Sequence, residues 1–250
     1  DIMAGPIERE ARGWQLNLPE SRKSSLKDFN IAIWSNDEMA PVSKDISQRC
    51  EEVGKNLASV GANVSYTAKP DHDFLKGEIN YQLLLQSVMQ SGMSDDEFKK
   101  IEEIASNLDK NDLSAEAILA KGTVLSHRNW IRQNYAREQI KISWSKFFQD
   151  WDILICPQLA TTAIKHDHGK ISERTIMIDN QEQRFFQQIF WPGLAVNAHL
   201  PSTVFPTGLA SDGMPIGLQA IGGAYEDKTT IKFAELYEQE FKAFVVPNLD

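Results

Sequence analysis

The sequence predicts an α/β fold: a mixed, mostly parallel β-sheet with helices on both faces. Three observations carry this. Residues 29–67 read as strand, helix and strand, a unit whose two strands run parallel because the crossover is long enough to return the chain to the same end of the sheet. Residues 152–157, Asp-Ile-Leu-Ile-Cys-Pro, are apolar on both faces, the pattern of a strand covered by helices on either side. The chain closes with Ile231, Ala234, Tyr237 and Phe241 at spacings of three, three and four, one face of an amphipathic helix.

In the first unit, Phe29, Ile31 and Ile33 alternate up to Ser35-Asn36-Asp37, so a strand runs into a loop. Ser43 is placed to cap a helix whose Ile46, Cys50, Val53, Leu57 and Val60 form one stripe, and Gly61 supplies its C-terminal stop. Asn63 to Thr67 gives the second strand, with Val64 and Tyr66 on one face. Before this unit, residues 5–27 mix Gly, Pro, Ser and charges without a period and read as a surface connector. Residues 1–6 begin with helix-interior types and then a Gly-Pro break, the expected end of a helix cut from something longer.

Residues 74–150 are polar-rich and helical, with helices expected over 78–90, 95–108 and 115–150. Asp95-Asp96-Glu97 suits the positive end of a helix dipole, and the apolar face of the last segment drifts enough to expect a kink or break near Gly122 or Ile140. Beyond the strand at 152–157 come a loop over 158–174, a short helix over 182–190, a buried strand over 202–206, a turn at Asp212-Gly213 and a strand over 216–221.

Composition narrows the function. The net charge is −9 with basic residues scattered among acidic ones, which argues against the positive stripe that nucleic acid requires. No apolar stretch approaches the roughly 20 residues of a membrane helix. The two cysteines, Cys50 and Cys156, sit in apolar contexts and read as buried thiols, so a reducing, cytoplasmic setting is expected. The turn after the first strand carries Asp37 and Glu38 and no glycine-rich cradle, which argues against a dinucleotide site. His166-Asp167-His168 places two imidazoles two residues apart, but with no third ligand signposted it reads as surface loop.

Several stretches together resemble the amidase-signature family. Residues 152–157 are similar to its "DvLLxP" strand. Residues 191–197 with 200–208 resemble "N-x-x-G-x-P-a-x-x-v-P-x-G", and residues 212–219, Asp-Gly-Met-Pro-Ile-Gly-Leu-Gln, resemble "dGlPvGlQ". Ile2 to Pro6 is similar to the "MAGP" that follows the family's catalytic core, and Ser126 to Trp130 resembles a helix of one bacterial branch. Ala195 to His199 departs from the pattern, being longer and more polar than the usual turn before the Leu-Pro pair.

The resemblance implies that these 250 residues form the carboxy-terminal portion of a single amidase-signature domain. Within it, 1–28 is a connector, 29–67 the strand-helix-strand unit, 74–150 a helical insertion and 151–250 the segment that completes the sheet. Family chemistry uses a serine nucleophile, a second serine that relays the proton and a lysine base, which takes the proton because burial favours its neutral form. These residues belong to the amino-terminal half, and no Gly-Ser-Ser-Gly pattern occurs here. Ser24-Ser25 near Lys27 lies in a polar connector without adjacent glycines and reads as ordinary loop. No catalytic residue, cofactor or metal is therefore expected in this chain.

What remains for it is the shape of the substrate site. By the resemblance, the loops after the strands containing Ile153 and Thr203 border the acyl pocket, and Gln158, Trp191 and Asn197 are the candidate substrate contacts. Each has a structural alternative: Trp191 as core packing, Asn197 as a partner of turn backbone, and Gln158 as plain surface. The expected partners are the amino-terminal half, a small or medium carboxamide, and a second copy in a homodimer. A binding or scaffold module that keeps only the pocket wall is the alternative. The transamidating enzyme component that works on charged transfer RNA is a relative by fold, one that the acidic balance does not favour.

Overall fold

The computed structural model describes residues 4–169 and 173–247. The helix end expected at residues 1–3 lies outside these, as do residues 170–172 of the loop expected over 158–174.

Seven strands occur among the described residues: β1 (Asn30–Ile33), β2 (Asn63–Ser65), β3 (Ile153–Pro157), β4 (Thr175–Ile178), β5 (Gln181–Arg184), β6 (Ser202–Leu209) and β7 (Pro215–Ile221). Five of them form the central sheet in the order β2-β1-β3-β7-β6, and β4 pairs with β5 apart from it. β1 pairs parallel with both β2 and β3, while β7 runs antiparallel between β3 and β6. Four of the five strands therefore point the same way and only β7 is reversed, which makes the sheet mixed and mostly parallel, as the sequence predicts.

Register assigns the two faces. Ile31 pairs with Ile153, Ile33 with Ile155, Ile155 with Ala220 and Leu218 with Phe205, so these side chains share one face. That face is covered by α1 (Lys44–Ser59) and α7 (Asp227–Phe241). Phe233 of α7 meets Phe29 at 5.5 Å and Phe205 at 5.4 Å between ring centroids, both edge-to-face. Cys156 and Gln219 lie on the opposite face, beneath α6 (Phe190–Ala198), with α5 (His127–Asp150) and α2 (Phe74–Met89) beyond it.

The strand-helix-strand unit forms as the sequence predicts. Ser43 Oγ accepts from the Ile46 amide, Ile46, Cys50, Val53 and Leu57 are buried, and Gly61 takes φ +95°, a conformation that glycine adopts without strain. Tyr66 falls just beyond the short β2, is exposed, and leans its hydroxyl over Gly54, where a Cβ would meet it at 2.6 Å.

The helical region holds α2, α3 (Asp95–Asn107), α4 (Ala115–Thr123) and α5. The break expected near Gly122 or Ile140 falls just after Gly122. A Cβ at Gly122 would sit 2.7 Å from Gln86 Cβ, so α4 presses on α2 at its glycine. Ser126 then starts α5 afresh by accepting from the Asn129 amide, and α5 passes Ile140 unbroken.

Two expectations are corrected. Residues 182–190 are not one helix: β4 and β5 make a separate hairpin, a 3-10 turn follows over Phe185–Ile189, and the α-helix begins only at Phe190. Asp179 and Asn180 both have positive φ, the geometry of a tight two-residue hairpin turn, and Asp179 Oδ2 accepts from the Lys44 amide, fastening the hairpin to α1. Residues 202–206 are not a strand buried on both faces either. β6 pairs only with β7, so it is an edge strand, and Val204 is 53 % exposed while Phe205 is buried.

Phe233 fills the space between β1, β6 and α7, so Phe233→Ala leaves a cavity that close neighbours cannot collapse into. Chemical denaturation is expected to show a loss of about 3–5 kcal/mol, against near-neutral behaviour for exposed Ile231→Ala on the same helix.

Candidate functional site

The carboxyl ends of β1 and β3 lie side by side, and the loops leaving them are bound together by backbone. Trp34 extends β1 by donating its amide to Ile155 O at 2.9 Å. Its indole then closes the turn by donating to Asn36 O at 3.1 Å. Asn36 Oδ1 accepts from the Val42 amide and Asp37 Oδ1 from Met39, which fold residues 36–42 into a compact loop. The Ser43 amide donates to Ala160 O at 2.7 Å, joining this loop to the one after β3.

Trp191 locks the assembly from above. It has no accessible surface, its Nε1 donates to Ala40 O at 3.0 Å, and its ring meets Trp34 edge-to-face at 5.6 Å. Beside it Gln187 Nε2 donates to Met39 O at 2.9 Å. Beneath it lies Gln219, 1 % exposed, whose Nε2 donates to Pro157 O at 3.0 Å and to Trp191 O at 2.8 Å, while its Oε1 accepts from Ser202 Oγ at 3.0 Å. Burial of a carboxamide is costly unless its groups are bonded, and here one side chain ties β3, α6, β7 and β6.

The three sequence candidates are placed differently. Gln158 follows directly on Pro157, half-buried in the loop after β3. Trp191 is internal, held between Ala40 O, to which its indole donates, and Gln219, which donates to its carbonyl. Asn197 sits in a helix rather than a turn, further along α6 than Trp191. Buried there, it donates from Nδ2 to Gly77 O and to Asn80 Oδ1, both at 3.3 Å, and so faces α2. Gln219 is the residue that sequence reasoning misses. Its signal is a lone carboxamide inside an otherwise apolar strand, Ile216 to Ile221.

Asn197 lines a small cavity between α2, α5 and α6 together with His72, Glu78, Tyr81, Trp144 and Phe190. Burial raises the Glu78 carboxyl above its ordinary value, a shift that the bond from Gln82 only partly opposes. Burial likewise lowers the His72 imidazole, against the pull of Asp71 and Asp73, and raises the Tyr81 phenol, with Glu78 adding to it.

Other candidate groups lie elsewhere. Ser24 and Ser25 precede a short 3-10 turn at the amino end of β1, opposite the loops described. His166 and His168 are exposed, their rings 6.4 Å apart, and among the described residues no three His, Cys, Asp or Glu side chains come together to hold a metal ion. Burial pushes both Cys50 and Cys156 well above the ordinary thiol range.

Comparison with known proteins adds a family. A family model described as Amidase matches residues 6–231. The A-subunit of glutamyl-tRNA(Gln) amidotransferase from Oceanobacillus iheyensis is 23 % identical over 262 residues, covering 96 % of this chain and 51 % of that protein. Its counterpart in Thermosynechococcus vestitus is 32 % identical over 111 residues, 44 % of this chain and 21 % of that one. Among solved structures, a bacterial aryl acylamidase of the amidase-signature family superposes with a TM-score of 0.64 at 17 % identity, over 94 % of this chain and 48 % of the other. The glutamyl-tRNA(Gln) amidotransferase A-subunit of Thermotoga maritima gives 0.63 at 17 % identity, over 94 % and 48 %. The chain thus spans about half the length of the relatives that match it along its whole length.

Gln219→Leu leaves the carbonyls of Pro157 and Trp191 without this donor, and is expected to lower stability by about 2–4 kcal/mol in denaturant titration. Because both thiols are buried and resist ionisation, Ellman's reagent at about pH 8 is expected to find no reactive cysteine in the native chain and both after unfolding.

Proposed function

The chain belongs to the amidase family, and on that footing we propose that it is the carboxy-terminal portion of an amide hydrolase acting on a small or medium carboxamide. The division into connector, strand-helix-strand unit, helical insertion and sheet-completing segment is proposed as parts of that single domain.

The observation that carries the reading is the asymmetry of the sheet. Its centre is closed by helices on both faces, whereas β6 presents an outer edge of eight residues with no strand partner among the described residues, and Val204 and Leu209 are 53 % and 40 % exposed. An open edge of that length is a template for further pairing. The proposed partner is the amino-terminal half of the same enzyme, which also accounts for a sequence that holds no Gly-Ser-Ser-Gly stretch and spans half of its relatives.

In this reading the other half supplies the chemistry. A serine hydroxyl attacks the amide carbonyl while a neutral lysine, through the second serine, takes its proton; the same proton returns to the leaving nitrogen, and water then releases the acid. This chain supplies a rigid wall. Gln158, at the carboxyl end of β3, borders the acyl group, and Trp191 with Gln219 acts through the backbone by fixing where Gln158 stands. Asn197 belongs to a different cavity. Among the described residues no helix is long and apolar enough to cross a membrane; a cytoplasmic setting is proposed from the two buried free thiols.

Co-expression with the amino-terminal half tests the reading, with ammonia release from a panel of simple carboxamides as the assay. Turnover is expected from the pair and not from either part. Hydrolysis by the isolated chain would contradict it, and a folded pair without turnover would favour a non-catalytic binding module. In the active pair, Gln158→Ala is expected to raise KM about three- to tenfold with little change in kcat, the pattern of lost ground-state contact.

A further inference from the structure

The cavity between α2, α5 and α6 lies beneath the helical layer and has chemistry of its own. Its free volume is about 20 Å³, room for one water molecule, and two of its lining residues are glycines. A Cβ at Gly193 would meet the Tyr81 ring at 2.7 Å, and one at Gly77 would approach His72 at 3.6 Å.

Several polar atoms on its wall have protein partners on one side only. His72 bonds Ser143 Oγ through Nδ1, Glu78 accepts from Gln82 through Oε1, and Asn197 donates twice through Nδ2. Among the described residues, His72 Nε2, Glu78 Oε2, Asn197 Oδ1 and the Tyr81 hydroxyl have no protein hydrogen bond. Glu78 Oε2 and Asn197 Oδ1 are acceptors, the Tyr81 hydroxyl can accept, and the role of His72 Nε2 follows its tautomer. The rings of Phe74, Tyr81, Trp144 and Phe190 line the same cavity, and an aromatic face attracts a cation. The only cationic side-chain type in the lining is His72, which burial holds toward its neutral form.

The cavity adjoins a larger groove, since His72, Gly77 and Ile140 line both. That groove, about 890 Å³, runs between α2 and α5 over Ile79, Ile140, Ile142 and Phe147. Lys69, Lys76 and Lys146 on its rim are matched by Asp71, Asp73 and Asp150, with Lys76 paired to Asp73 at 3.0 Å and Lys69 engaged by Asp37 and Trp34. The rim therefore favours neither sign. The floor favours a cation.

We infer that this space is a binding site for a primary alkylammonium ion, its –NH3+ head seated among Glu78, Asn197 and the aromatic rings and its alkyl chain lying in the groove between α2 and α5. A 20 Å³ floor admits an ammonium head but not a quaternary one, three N–H donors match the available acceptors, and the apolar groove accepts the chain. Gln158 lines neither space, so the inference stands independently of the hydrolase reading.

Calorimetric titration of the 250-residue chain with n-butylammonium chloride tests it, with tetramethylammonium chloride and sodium chloride as controls at equal ionic strength. Saturable binding of n-butylammonium alone is expected, with thermal stabilisation in parallel. Glu78→Gln, which keeps the side-chain shape, is expected to weaken it about tenfold or more, and Tyr81→Phe less, with circular dichroism confirming that each variant is folded. No saturable binding, or equal binding of tetramethylammonium, would overturn the inference with no variant needed. Unchanged affinity in folded Glu78→Gln would overturn it as well.

Discussion

β3 is enclosed on both faces and both edges, and the rest of the fold is arranged around that enclosure. Ile153, Leu154, Ile155 and Cys156 have no accessible surface. Their backbone is paired on one side to β1 and on the other to β7. Complete burial leaves no water to serve the carbonyl at the strand's end, so the protein provides a donor: Gln219 reaches Pro157 O and Trp191 O from the neighbouring strand. One satisfied carboxamide thereby fixes α6 over the sheet, and Trp191 in turn fixes the loop after β1 through Ala40. Gln158 follows directly on this enclosed strand.

Much of this is legible in the sequence, for physical reasons. The α1 stripe from Ile46 to Leu57 repeats at helical spacing, Ser43 caps the helix and Gly61 ends it, so pattern and punctuation agree. β3 is legible because a short run that is apolar on both faces fits little besides a covered strand. The hairpin of β4 and β5 is not. Gln181 to Gln188 is polar with scattered phenylalanines, which leaves periodicity undecided, and the informative pair, Asp179-Asn180, needs its turn conformation known before it reads as one. β6 misleads because Val204 and Phe205 look alike in composition, while only the partner arrangement determines that one faces solvent and the other α7.

The site is legible in part. Trp191 stands out as an aromatic in a motif, but whether an indole supports a pocket or lines it depends on where its N–H goes, and here it goes to Ala40. Asn197 reads as turn because a family turn stands near it; in this chain the helix runs on to Ala198 and ends at His199 in the left-handed conformation, φ 55°. That last helical turn places Asn197 against α2, where it bonds Gly77 O and Asn80. Glu78, Tyr81 and His72 give no linear signal, since they meet Asn197 only through packing between α2 and α6.

Closure at the centre contrasts with openness at β6, and on that contrast rests the proposal that another polypeptide segment continues the sheet. Amide hydrogen exchange resolved to β6, measured on the 250-residue chain alone and with the amino-terminal half co-expressed, tests it most directly. Rapid exchange along β6 in the isolated chain and strong protection in the pair, with β3 protected in both, is the predicted result. Equal protection of β6 with and without its partner would contradict the account.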